Sequence, residues 1–230
     1  MTQLLGIAPV IAIDGPAGAG KSTAARDLAR RLGFLLLDTG AIYRSLALQA
    51  RERRVAWNDE RTLADLARHL RIEFVPLPDG TQAVFVDGRD VSAPIRTPEI
   101  SEGASRVSAL PAVREALLDL QRLIAAEGRY VVEGRDIGTV VLPWAPVKFF
   151  LTASAEVRAQ RRHEELRGRG QSSDLAATQA EIEARDQRDQ SRAVAPLRAA
   201  EDAIRIDTSK MALEEVVTEL ERVARTRLGV

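Results

Sequence analysis

Cysteine is absent from the 230-residue chain. That excludes disulfides, a thiolate metal site and a thiol nucleophile. Histidine occurs only twice, which leaves Cys/His metal chemistry short of ligands. Basic and acidic residues number 33 each, so no net charge favours nucleic acid or an anionic membrane. Aromatic residues make up 4% of the chain, and no basic-aromatic platform for nucleic acid is visible. No apolar run approaches the roughly 18–20 residues of a membrane span. The N-terminus lacks a basic segment followed by a long apolar one, so no signal peptide is expected and the cytoplasm is the expected location. Lysine is scarce too: Lys21, Lys148 and Lys210 stand among basic residues that are otherwise arginine.

What is present is an ordinary soluble composition, with 45% apolar and 29% charged residues. The length allows one α/β domain with insertions. The most informative stretch is Gly15-Pro16-Ala17-Gly18-Ala19-Gly20-Lys21-Ser22, followed by Thr23. An apolar, β-branched run (Val10-Ile11-Ala12-Ile13-Asp14) precedes it, and an amphipathic helical pattern follows. Strand, glycine loop and helix at the spacing G-x-x-x-x-G-K-[ST] form a phosphate cradle. Its N–H groups converge on an anion, aided by the positive end of the helix. Residues 15–23 are therefore expected to hold the phosphates of a nucleoside triphosphate, with Lys21 at the β- and γ-phosphates and Ser22 on Mg²⁺. One of the few lysines stands where a compact, flexible point charge is needed.

Past the loop, Ala25, Leu28, Ala29 and Leu32 share a helix face that Gly33 ends. Residues 34–37 suit a buried parallel strand, and a helix follows Asp38-Thr39-Gly40. An isolated Arg44 there would be a solvated surface residue, but a position just beyond a strand's C-terminal end predicts a phosphate-binding arginine. Asn58 is expected to cap the next helix. The period then changes: 72–75 and 83–86 flank Pro78-Asp79-Gly80 as an antiparallel hairpin, with a further short strand expected within 90–96. Pro98 and Pro111 each start a helix.

The strand at 130–132 ends in Glu133-Gly134-Arg135-Asp136-Ile137-Gly138. That segment fits a tight turn with a local ion pair, or a phosphate ligand (Arg135) beside an acceptor for a substrate amino group (Asp136). Another strand covers 147–151. Ser154 caps a helix carrying Arg158, Arg161 and Arg162, which ends at Arg167-Gly168-Arg169-Gly170. These arginines read either as a solvated face or as charges on a hinged segment that closes over a phosphoryl group. Within a helix over 174–192, Arg185, Asp189 and Arg192 share a face. Residues 203–207 form the last strand, and Leu213, Val216, Val217, Leu220 and Val223 turn the final helix towards the sheet.

Three further blocks make the resemblance specific. They are Leu37-Asp38-Thr39-Gly40-Ala41-Ile42-Tyr43-Arg44, Glu133-Gly134-Arg135-Asp136-Ile137-Gly138-Thr139-Val140-Val141, and Arg185-Asp186-Gln187-Arg188-Asp189-Gln190-Ser191-Arg192-Ala193-Val194-Ala195-Pro196-Leu197. With the glycine loop, in this order, the chain resembles the bacterial cytidylate kinase family of P-loop nucleoside monophosphate kinases. Thr39 stands where some relatives carry serine, and Glu133 where some carry aspartate.

The resemblance implies a doubly wound, parallel five-stranded α/β sheet flanked by helices. It also implies a small antiparallel-strand and helix insertion for the nucleoside monophosphate, and a short helical lid. The expected division is 1–70, 113–153 and 193–230 as P-loop core, 71–112 as insertion and 154–192 as lid. The implied reaction passes the γ-phosphoryl group of ATP, with Mg²⁺, to CMP or dCMP. Arg44, Arg135 and Arg192 resemble the arginines on the acceptor phosphate, Arg185 and Asp189 the ribose contacts, and Ser105, Arg114 and Asp136 the cytosine-reading set. Thr39 and Tyr43 complete the substrate residues. Lys21, with lid arginines Arg158 and Arg162, joins Arg44, Arg135 and Arg192 around the moving group. A monomer acting on small molecules, with no nucleic acid or membrane partner, is expected. The alternatives are another small-molecule P-loop kinase, for a different nucleoside monophosphate or shikimate, and a nucleotide-binding regulatory protein. The absence of an Asn-Lys-x-Asp guanine-reading motif weighs against a GTPase switch.

Overall fold

In the computed structural model, which describes residues 9–168 and 170–229, the run at 10–14 forms β1 (Val10–Asp14) at the centre of a sheet. All five of its residues are buried. Strand periodicity sends Ile11 and Ile13 into one core and Val10 and Ala12 into another on the opposite face, as a parallel strand covered on both sides requires. Segment 1–8, on which the signal-peptide expectation rests, and Arg169 lie outside the described residues.

The sheet has five parallel strands in the order β2-β6-β1-β7-β8, the others being β2 (Leu35–Asp38), β6 (Tyr130–Gly134), β7 (Val147–Thr152) and β8 (Ile204–Asp207). The expected doubly wound five-stranded sheet is therefore present. Strand β2 does not have the burial expected of it: it starts at Leu35 and, among the described residues, lies at the sheet edge beside β6 alone, which leaves Leu35 40% exposed.

Helices α1 (Lys21–Leu32) and α8 (Leu213–Leu228) cover one face, where Ala25 and Leu28 meet Phe149, Val217 and Leu220. Leu213 does not face the sheet as expected; at the first position of α8 it projects into solvent, 43% exposed. On the other side a third core joins α2 (Thr39–Glu52), α3 (Glu60–Arg68), α4 (Pro98–Val107) and α5 (Pro111–Ala126). Asp59, rather than Asn58, caps α3 by accepting from the Thr62 amide at 3.1 Å.

The inserted hairpin pairs β3 (Ile72–Pro76) with β4 (Gln82–Val86), and β5 (Arg89–Asp90) adds a third antiparallel strand. That strand is only two residues long. The Asp90 carboxylate accepts from the Ser92 amide at 2.8 Å, which turns the chain into a 3₁₀ segment at Pro94–Arg96. Helices α6 (Ala155–Gly168) and α7 (Leu175–Gln190) pack as a hairpin. Helix α7 ends two residues before Arg192, so Arg192 lies just past it.

One element has no counterpart in the sequence reading. After β6 the chain winds through a π-helical turn at Ile137–Val141. Such turns are rare and gather at functional sites.

Candidate active site

The C-terminal ends of β1, β2 and β6 converge on one edge of the sheet, the place where α/β folds bind ligands. The loop after β1 requires glycine at two points. A Cβ on Gly15, at φ +146°, would sit 2.0 Å from the Leu151 carbonyl oxygen. Gly20 caps α1 from the left-handed region at φ 85°. Lys21 opens α1, is buried, and donates from Nζ to the Pro16 carbonyl at 2.7 Å. Burial, reinforced by the Arg135 charge, holds its pKa well below the usual lysine range. The carboxylates of Glu133 and Asp14 offset only part of that shift.

Glu133, near the end of β6, carries a role that its motif alone does not reveal. Parallel pairing of β6 with β1 sets its carboxylate against the loop, where Oε2 accepts from Ser22 Oγ at 2.9 Å. Burial, with repulsion from Asp38, pushes the Glu133 pKa up, and its Oε1 has no partner. The signal that could have found it is an acidic residue ending an otherwise apolar strand. Ser22 and Glu133 together offer hard oxygen donors, which fit Mg²⁺. Among the described residues no cluster of three or more His, Cys, Asp or Glu could cage a metal alone.

The predicted arginines gather on the far side of this edge. Arg44 pairs with Asp38, the cap of α2, at 2.6 Å. Arg135 donates from Nε to Asp189 at 2.9 Å, and Arg192 pairs with the same buried carboxylate. Burial opposes ionisation of Asp189, but Arg135, Arg192 and Arg185 outweigh it and keep the carboxyl below its usual pKa. Burial lowers Arg185 to about 10, with Arg135 next in effect. Arg44 Nε, Arg185 Nε, and Arg192 Nε and Nη1 are buried donors without partners. Unsatisfied buried donors are costly, and so many in one place make this cluster a candidate anion site.

The candidate base-reading residues lie beside them. Arg114 and Asp136 form a buried ion pair, and the Arg114 guanidinium stands 5.6 Å over the Tyr43 ring. Ser105 is 1% exposed with an unpartnered hydroxyl. Ser108, which sequence reasoning missed, links both groups: its carbonyl accepts from Arg114 at 3.2 Å and its hydroxyl from Arg192 at 3.0 Å. Thr39 spends its hydroxyl on the Glu133 carbonyl, at 2.7 Å, and ties α2 to β6.

The lid arginines divide. Arg158 is engaged throughout: it reaches the Ala153 carbonyl at 2.9 Å, the Ala17 carbonyl of the phosphate loop at 3.1 Å, and Asp186 at 2.6 Å. It braces the loop. Arg161 acts similarly through Thr208, whose hydroxyl reaches the Ala19 carbonyl at 3.2 Å. Arg162 pairs with Glu165 on its own helix at 2.8 Å, and the structure does not bring it into the arginine cluster. A cleft of about 450 Å³ opens between Ser92, Arg96 and Thr97 of the insertion and Gln171 of the α6–α7 connection.

Comparison with known proteins agrees with this geometry. The profile of a family described as cytidylate kinase matches residues 11–226. A cytidylate kinase of Syntrophotalea carbinolica is 51% identical over 96% of this chain and 94% of its own length. One from Pseudomonas fluorescens is 50% identical over 94% of each chain, and one from Pseudomonas aeruginosa is 51% identical over 92% and 93%. At the level of fold alone, a solved uncharacterized protein from Eubacterium ventriosum superposes with a TM-score of 0.54 over 95% of this chain and 99% of its own, at 13% identity. The phosphate loop, the arginine cluster and these matches along nearly the whole chain agree: it belongs to the cytidylate kinase family.

Proposed function

We infer that the chain transfers the γ-phosphoryl group of ATP to CMP or dCMP, giving ADP and CDP or dCDP. The observation that carries this beyond nucleotide binding is the second anion site. Four arginines with unpartnered buried donors or a shared carboxylate face the edge that holds the phosphate loop.

Phosphoryl transfer needs alignment and charge neutralisation more than covalent catalysis. The loop amides at 15–23 and Lys21 hold the donor phosphates. Ser22, with Glu133 accepting from its hydroxyl at 2.9 Å, would hold Mg²⁺, which would further neutralise the phosphate charge. Arg44, Arg135 and Arg192 fix the acceptor phosphate, whose oxygen attacks the γ-phosphorus as the bond to the β–γ bridging oxygen breaks. The acceptor phosphate is largely dianionic at neutral pH, its second pKa being about 6, so no strong general base is required. Arg185 and Asp189 meet the ribose. Asp136 accepts from the cytosine N4 amino group while Ser105 and Arg114 face the ring acceptors. A carboxylate has enough lone pairs to serve Arg114 and the base together.

Segments 71–112 and 154–192 take the insertion and lid roles in this reading. Closure of α6–α7 over the donor excludes water, and Arg158 joins that step through the loop it braces. A monomer in the cytoplasm, acting on free nucleotides without nucleic acid or membrane, completes the reading; the balanced charge supports it. Among the described residues no helix is long and apolar enough to cross a membrane.

The test is an acceptor panel. Protein, ATP and Mg²⁺ are incubated with CMP, dCMP, UMP, AMP or shikimate, and ADP is followed. CMP and dCMP are expected to give the fastest turnover. Background rates with CMP and turnover with another acceptor would sink the substrate assignment.

A further inference from the structure

Asp14 is buried at the end of β1, and neither the donor nor the acceptor reading uses it. Its two carboxylate oxygens accept from consecutive amides of the π-helical turn, Ile137 N at 2.8 Å and Gly138 N at 2.7 Å. At the other end of the turn, Arg122 on α5 donates from Nε to the Val141 carbonyl and from Nη2 to the Val140 carbonyl, both at 3.0 Å. The Arg122 guanidinium lies 5.3 Å over the Trp144 ring, which fixes its plane. Two charged side chains of opposite sign, from different elements, thus hold a five-residue turn by its amides and by its carbonyls.

The residue this turn carries is Asp136. Its carbonyl accepts from Val140 N at 2.9 Å and Val141 N at 3.1 Å, so rotation of the turn rotates Asp136. A π-turn closes wide rings and is intrinsically less favourable than an α-helical one. Bonds to ionised groups are about twice as strong as neutral ones, so they suit this task.

We propose that Asp14 and Arg122 are positioning residues for base recognition: by clamping the turn at Ile137–Val141 from both ends, they hold the Asp136 carboxylate where it meets the cytosine amino group. The proposal rests on the reading of Asp136 as the base acceptor.

Five variants test it: Asp136→Asn, Asp14→Asn, Arg122→Met, Arg122→Lys and the Asp14→Asn/Asp136→Asn double. For each, kcat and KM are measured for CMP, UMP and ATP. Asn at 14 keeps one acceptor but turns its NH₂ against a backbone amide. Met at 122 keeps the apolar stem over Trp144 and loses both donors. In each single clamp variant the CMP KM is expected to rise by about tenfold to a hundredfold, the range for small misplacements of binding groups. The CMP-over-UMP ratio of kcat/KM should fall with it, while the ATP KM stays within about twofold. Arg122→Lys, which keeps one donor, should recover part of the loss.

The double variant should discriminate no worse than Asp136→Asn alone, because both substitutions act on one contact. If Asp136→Asn lowers the ratio but Asp14→Asn and Arg122→Met leave it at the wild-type value, the clamp is not a specificity device and base reading stands. A rise in ATP KM equal to that for CMP would mean general loosening and would overturn the proposal as well. An unchanged ratio in Asp136→Asn removes the base-reading role and the clamp's purpose together. Should Asp14→Asn fail to fold by circular dichroism, Arg122→Met on the half-buried face of α5 decides the matter alone.

Discussion

Arg188 on α7 grips Glu102 on α4 at two points, 2.7 and 2.9 Å apart, across 86 residues of sequence. Arg106 shares the carboxylate at 3.0 Å. Together with the Arg192–Ser108 bond, this contact ties the α6–α7 hairpin to the insertion.

The Arg188 and Arg106 bonds outweigh partial burial and lower the Glu102 pKa from 4.5 to about 2. A depressed folded-state pKa stabilises the protein above the ordinary pKa, and that contribution fades as pH falls through the folded-state value. Because the Glu102 side chain is 40% exposed, solvent screening keeps the effect at about 1 kcal/mol or below. Glu102→Gln should therefore melt roughly 2–4 °C below wild type at pH 7, and the gap should narrow as pH drops from 4.5 towards 2. Calorimetry across that range checks it; a gap independent of pH would contradict it.

Lys21→Ala separates stability from chemistry. The ammonium is buried beside Arg135, so its removal relieves an unfavourable charge in the unliganded protein. The variant should melt no lower than wild type, while kcat falls by about a hundredfold or more, as expected when a preorganised charge on the transferring group is lost. Thermal melts beside steady-state kinetics provide both readings.

Glu133→Gln keeps shape and alters charge behind Ser22. The Mg²⁺ concentration for half-maximal rate should rise by about tenfold to a hundredfold, the usual consequence of losing a supporting group at a metal site. A Mg²⁺ titration at saturating ATP and CMP measures it, and addition of EDTA to wild type should abolish turnover.

Arg158 and Arg162 lie four residues apart on one helix and should respond differently. Arg158→Ala removes the brace on Ala17 and strands Asp186, so it should raise the ATP KM and lower the melting temperature. Arg162→Ala loses a single exposed pair with Glu165 and should change stability by under about 1 kcal/mol. Equal effects on ATP KM would show that Arg162 enters the site in the closed lid.

Features written in neighbouring residues are legible in the chain before it folds. The phosphate loop was legible because strand, glycines, lysine and helix follow one another within 23 positions, and each obeys a local rule of backbone freedom or charge. The hairpin, Gly33 as helix stop and Pro98 as the start of α4 were local in the same sense. Arginines beyond strand ends were legible as candidates for anion binding because α/β folds bind ligands there.

What those residues touch depends on how the elements pack. Glu133 reaches Ser22 from 111 residues away, and Asp14 reaches the Ile137 amide across 123, because β6 lies beside β1 in the sheet. Nothing in the composition of Ile137–Val141 announces a π-turn; its amides and carbonyls are held by side chains from other elements. Likewise Arg158 and Arg162 look alike in the chain, and only packing of α6 against the loop and α7 separates a brace from a surface charge. Local rules fix which groups are available, and strand order with helix packing fixes which of them meet.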